Sequence, residues 1–159
     1  HLSIRRQRQM CIRDRAHLYY QRKAGLSQLV EAASVEDAKK VLATAVTPYW
    51  ETHYTFGSTS VRNDKNLSPF SLNLLCINTV VPILFAYGRH RGEEKYCDRA
   101  FDFLEQLRPE NNYIIRLWQQ CGLVVDNAGD SQALIQLKKE YCDKKECLRC
   151  RFGYEYLKL

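Results

Sequence analysis

Strict alternation of apolar and polar side chains, the mark of a half-buried strand, is missing from residue 16 onward in this 159-residue chain. Its absence argues against a β-sandwich or barrel. Glycine and proline are sparse, at 7 and 4 residues, and no internal repeat, low-complexity tract or heptad run interrupts the sequence, so fibrous and coiled-coil classes fall away. The patterns G-x-S-x-G, H-E-x-x-H and the glycine-rich phosphate loop are absent, which removes the enzyme classes those patterns would announce. The first fifteen residues have no apolar stretch of the kind a secretory signal needs.

What is present is an ordinary globular composition, 45% hydrophobic, enough for one substantial core without disulfide staples. The formal charge of +6 is concentrated at the start: Arg5, Arg6, Arg8, Arg13 and Arg15 against Asp14 leave residues 16–159 at only +2. A nearly neutral domain has few cations with which to neutralise phosphates, so intrinsic affinity for nucleic acid is expected to be weak. The longest apolar run, Phe70 to Gly88, carries Ser71, Asn73, Asn78, Thr79 and Pro82, groups that are costly in lipid. It reads as a buried, kinked core helix of a soluble, cytoplasmic protein with no membrane partner.

Apolar residues recur at helical spacing throughout, so the fold class is all-α, about six to seven helices around that Pro-kinked central helix. The spacing predicts a helix from His17 to Ala33 with Leu18, Leu26, Leu29 and Val30 inward, and a short one from Val35 to about Thr44 capped by Ser34. Another opens at Thr47-Pro48 around YWETHY, and Ser68-Pro69 starts the central helix. Residues 57–67 form the longest loop. Three further helices follow. The first has Cys97, Ala100, Phe101, Leu104 and Leu107 inward, the second Ile114, Leu117, Trp118 and Cys121, and the third, capped by Asp130, has Ala133, Leu134, Leu137 and Tyr141 inward.

Two sets of residues are candidates for function. Trp50 and Tyr54, beside Tyr49, His53 and Phe56, are able to stack on unpaired bases, and Arg89 and Arg91, beside His90 and Lys95, to hold phosphates. The bland reading is a helix face, because Tyr49, Trp50, His53 and Tyr54 sit at i, i+1, i+4 and i+5. The second set is Cys142, Cys147 and Cys150, spaced C-x4-C-x2-C, whereas Cys76, Cys97 and Cys121 read as small buried hydrophobes. A C-x2-C pair lets two sulfurs converge on one ion, and Lys144, Lys145, Arg149 and Arg151 would favour thiolates. A closed site needs a fourth ligand, for which His53, His90 and Cys121 are candidates. Zinc, an iron–sulfur cluster, packed thiols and a redox pair all stay open here. With three ligands at hand, the balance falls to no stoichiometric metal in residues 16–159.

The order of YWETHYTF, LCINTVVPILFAYG, LEQLRPENNYIIRLW, NAGDSQALIQLKKEYC and CLRCRFGY resembles the carboxyl-terminal region of a bacterial family called domain of unknown function 2851, over about residues 16–159. Members of that family are longer, and their amino-terminal half looks similar to PD-(D/E)xK nucleases. The resemblance therefore implies that residues 16–159 are the helical carboxyl-terminal part of a metal-dependent nuclease candidate, with that missing half as partner and no catalytic residue in this chain. Residues 1–15, HLSIRRQRQMCIRDR, resemble a translated sequencing adapter and are set aside with Cys11.

Overall fold

The computed structural model describes residues 20, 25–43, 47–62 and 66–157. The start of the first expected helix, including Leu18, and the adapter-like run lie outside the described residues. The chain divides into two compact units, His1–Ala100 and Phe101–Leu159.

In the first unit, α1 spans Leu26–Glu31 and buries Leu29 and Val30, while Leu26 is 59% exposed instead of inward. Arg99 donates from Nη1 to the carbonyls of Val30 and Ala32 at 3.1 and 3.2 Å, satisfying groups that the end of so short a helix leaves open. Ser34 caps α2, Val35–Leu42, by accepting from the Asp37 amide at 3.1 Å. The Asp37 carboxyl is held below its usual range, first by the hydrogen bond from Ser34 and then by Lys40.

Helix α3 is only Pro48–Glu51. The expected helix through YWETHY stops there, and His53–Thr55 instead forms β1, paired antiparallel with β2, Ser58–Thr59, around Gly57 at φ +74°. A three-residue strand is too short to show period-2 alternation, and a tight turn needing a positive φ favours the hairpin over a continued helix.

Ser68 caps α4, Pro69–Leu75, accepting from the Ser71 amide at 3.1 Å. The helix then widens into a π turn, Cys76–Val80, before continuing as α5, Val81–Arg91, with Pro82 in its first turn. Proline brings no N–H to the ladder, and the Val81 amide reaches back to the Cys76 carbonyl in the wider spacing. Asn78 donates from its side chain to the Leu74 carbonyl at 2.9 Å. Cys76, Ile77, Val80, Val81, Leu84 and Gly88 make a buried stripe on which α1 and α2 pack. Phe70, Asn78, Pro82 and Phe85 stay exposed, so the central helix contributes one face to the core. By length and composition alone Pro69–Arg91 would suffice to cross a membrane, with a mean hydropathy of 1.7 over an 18-residue stretch of it.

The division between the units falls inside α6, Glu94–Gln106. Its buried line is Cys97, Ala100 and Phe103, continued by Leu107; Phe101, expected inward, is exposed. In the second unit, Asn112 caps α7, Tyr113–Gln120, accepting from the Ile115 amide at 3.1 Å. That helix buries Ile114 and Ile115 and leaves Leu117 and Cys121 exposed, contrary to the expected face. The cap of α8, Ala128–Leu137, is Asn127, which accepts from the Asp130 amide at 2.9 Å. Asp130, expected to be the cap, accepts the Asp126 amide instead, a reciprocal arrangement at the same helix start. Ala133 is exposed, and Ser131 is the buried residue of that turn.

Candidate functional site

Cys142, Cys147 and Cys150 line one cavity of the second unit, about 270 Å³ in volume. Its other walls include Trp118, Leu134, Leu137 and Phe152. Helix α8 runs into a π turn, Lys138–Cys142, whose wider spacing carries Cys142 to the cavity, and the Asp143 amide closes that turn on the Lys138 carbonyl at 2.9 Å. Lys145 takes a left-handed conformation at φ +56°, which turns the chain back so that the Glu146 amide meets the Tyr141 carbonyl at 2.9 Å. A 3₁₀ turn, Cys147–Arg149, follows, and the Cys150 amide bonds the carbonyls of Glu146 and Cys147 at 3.1 and 3.2 Å. The last helix, α9, is Arg151–Leu157.

Cys150 is buried, while Cys142 and Cys147 are exposed. Desolvation pushes the Cys142 thiol up from its ordinary range, and negative charge on Cys150 and then Cys147 would push it the same way. The expected stabilisation of thiolates by nearby cations is corrected here. Lys144 pairs with Glu140, Arg149 with Glu146 at 2.9 Å, Arg151 with Glu155 at 3.1 Å, and Lys138 with Asp143, so much of the positive charge is already answered by carboxylates. Among the described residues no group of three or more His, Cys, Asp or Glu side chains is gathered so as to hold a metal ion.

Of the proposed fourth ligands, only Cys121 belongs to the same unit as these thiols. His53 is stacked on Tyr49, ring centroids 4.0 Å apart, with Nδ1 2.8 Å from the Tyr49 carbonyl. Spacing alone identified the three cysteines but not the cavity. Trp118, Leu134, Leu137 and Tyr141 stood at helical intervals that marked them as inward, whereas Leu123 and Phe152 carried no such signal.

The aromatic block forms a surface cluster instead of a buried helix face. Tyr49 meets Trp50 edge-on at 4.9 Å, and Trp50 meets Phe56 at 5.0 Å. Phe56, at the hairpin tip, is 83% exposed, and Trp50 and Tyr54 are half-buried. Arg89 and His90 are exposed at the end of α5. Arg91 and Lys95 both pair with Glu93, at 3.7 and 2.6 Å, and the Lys95 contact above all holds the Glu93 carboxyl below its usual range.

A family model described as protein of unknown function (DUF2851) matches residues 9–113. The chain belongs to this family. No curated protein and no solved structure matches it. The DUF2851 match takes in the aromatic cluster, the central helix and α6, and ends at Tyr113, before the thiol cavity.

Proposed function

We propose that this DUF2851 chain is a structural and interaction module, serving the nuclease-like half that the family resemblance implies and carrying no turnover chemistry of its own. The observation that supports this reading most is α9. Phe152, Tyr154, Tyr156 and Leu157 are all exposed on seven residues, and the helix buries none of them. Covering a Phe or Leu side chain yields roughly 1.5–3 kcal/mol, so a short helix with this much uncovered apolar surface gains its stability on meeting a partner.

A second reading, a nucleic-acid-binding module working for that same half, draws on the exposed hairpin aromatics and on Arg89 and Arg91. Fluorescence anisotropy with single- and double-stranded oligonucleotides across a salt series separates the two. The interaction-module reading expects weak binding by residues 16–159 at physiological salt, in keeping with their charge of +2. Submicromolar affinity with a steep salt slope, lost on Trp50→Ala or Arg89→Ala, would favour the second.

A further inference from the structure

Cys147 opens the 3₁₀ turn and Cys150 caps it, with the Cys150 amide bonded to the Cys147 carbonyl at 3.2 Å. A turn closed between residues three apart keeps their Cα atoms within about 7 Å, and a disulfide spans roughly 4.4–6.8 Å between Cα atoms. The 3₁₀ repeat also sets the side chains at i and i+3 over one another. Both thiols accordingly line the same cavity. Among the described residues no three ligating side chains are gathered around an ion, whereas a disulfide needs only two sulfurs.

The turn is held from the helix that follows. Gly153, in the first turn of α9, lies so close to Cys147 that an added Cβ would stand 2.9 Å from the Cys147 carbonyl carbon. Only glycine permits that approach. The two thiols differ in access, Cys147 being exposed and Cys150 only 7% exposed. A reagent from solvent therefore meets Cys147 first, with Cys150 behind it.

The cavity beside the pair suits apolar groups. Trp118 spends its one polar group, the indole N–H, on the Leu134 carbonyl at 3.2 Å, and its neighbours in the wall include Leu134, Leu137 and Phe152. A dry apolar cavity of about 150 Å³ holds a benzene ring, and this one is about 270 Å³.

From this placement we infer that Cys147 and Cys150 are a thiol–disulfide exchange site for low-molecular-weight disulfides with aromatic or other apolar substituents, Cys147 attacking and Cys150 resolving. The Cys147 thiolate attacks one sulfur of the incoming disulfide. The S–S bond of the reagent breaks, a mixed disulfide forms on Cys147 and the first small thiolate leaves. Cys150 then attacks the Cys147 sulfur, the intramolecular bond closes and the second small thiolate leaves. Each protein thiol gives up a proton, the pair loses two electrons, and the incoming disulfide takes them up to become two thiols. The exchange is stoichiometric and involves no turnover, so it is independent of the interaction-module reading.

The test treats the full chain, reduced and freed of reductant, with the neutral aromatic disulfide 4,4′-dithiodipyridine and maps the products by tryptic mass spectrometry. Trypsin cuts after Lys145, Arg149 and Arg151, so a bond within the pair joins peptides 146–149 and 150–151. The joined peptides are expected from the folded chain, with the bond closing faster than in the chain unfolded in urea. The folded chain should also prefer dithiodipyridine over oxidised glutathione, a charged disulfide, by a larger ratio than the unfolded chain does. Cys147→Ser and Cys150→Ser should each lose the joined peptides, Cys150→Ser keeping one thiopyridyl group on Cys147, and Cys121→Ser should retain them. Thiopyridyl groups left side by side on Cys147 and Cys150 of the wild-type chain would overturn the inference, as would a bond from either to Cys142. Closure no faster in the folded chain would overturn the role of the turn, and an equal preference ratio would overturn the substrate class. The wild-type mapping decides the matter even where a serine variant fails to fold.

Discussion

Gly153 packs on the backbone of Cys147, with room for hydrogen but not for a methyl group: an added Cβ would also stand 3.0 Å from the Cys147 Cα. Backbone atoms cannot swing aside as a flexible side chain does, so Gly153→Ala has to displace the 3₁₀ turn or α9. Overpacking of this kind costs about 1–3 kcal/mol. Gly57→Ala is the comparison, because nothing lies near position 57 and its φ of +74° is the only obstacle. That variant should lose about 1–2 kcal/mol. Urea unfolding of both variants measures the two losses, and the Gly153 substitution should also open the buried Cys150 to faster alkylation.

Ser131 is fully buried, with its Oγ donating to the Ala128 carbonyl at 2.9 Å and accepting the Glu110 amide at 3.2 Å. Gln132 and Asn112 fix the Glu110 carboxylate at 2.8 and 3.0 Å, so the loop after α6 is anchored to α8 through this network. Ser131→Ala leaves the Glu110 amide without its acceptor, which should destabilise the second unit by about 1–3 kcal/mol. Hydrogen exchange at the Glu110 amide should accelerate in the same variant.

Burial pushes the Cys76 thiol up to about 11, from 9.0. The folded value lies above the unfolded one, so the fold holds the neutral thiol where the unfolded chain already ionises. Stability from this residue is fully present below pH 9.0 and is lost as pH rises toward about 11. Denaturant midpoints of the wild type and Cys76→Ala, compared across that window, should converge as pH rises. A constant difference between them would contradict the assignment.

The helix starts were legible in the sequence because a cap is a local device. Ser34 and Ser68-Pro69 act where they stand, through an amide three residues on. At α8 two acceptors compete, and Asn127 takes the cap while Asp130 turns back to Asp126. Faces were harder to read. Phe101 and Phe103 are both apolar neighbours on α6, and only packing decides that Phe103 is buried and Phe101 is not. The candidate site was legible as a spacing, since C-x4-C-x2-C is a property of the chain. The cavity was not, because it joins residues as far apart as Trp118 and Phe152. Nor could composition foretell that Lys144, Arg149 and Arg151 would each meet a carboxylate.

The central proposal, that this DUF2851 chain works by docking, is tested most directly by size-exclusion chromatography with light scattering on a mixture of the chain and the amino-terminal half that the family resemblance implies. The account predicts a one-to-one complex with the wild-type chain. Tyr156→Glu with Leu157→Glu should abolish it while leaving the circular dichroism spectrum and melting temperature unchanged, because both side chains are exposed and neither lines the thiol cavity. Two separate peaks with the wild-type chain, or a complex that survives the double substitution, would contradict it.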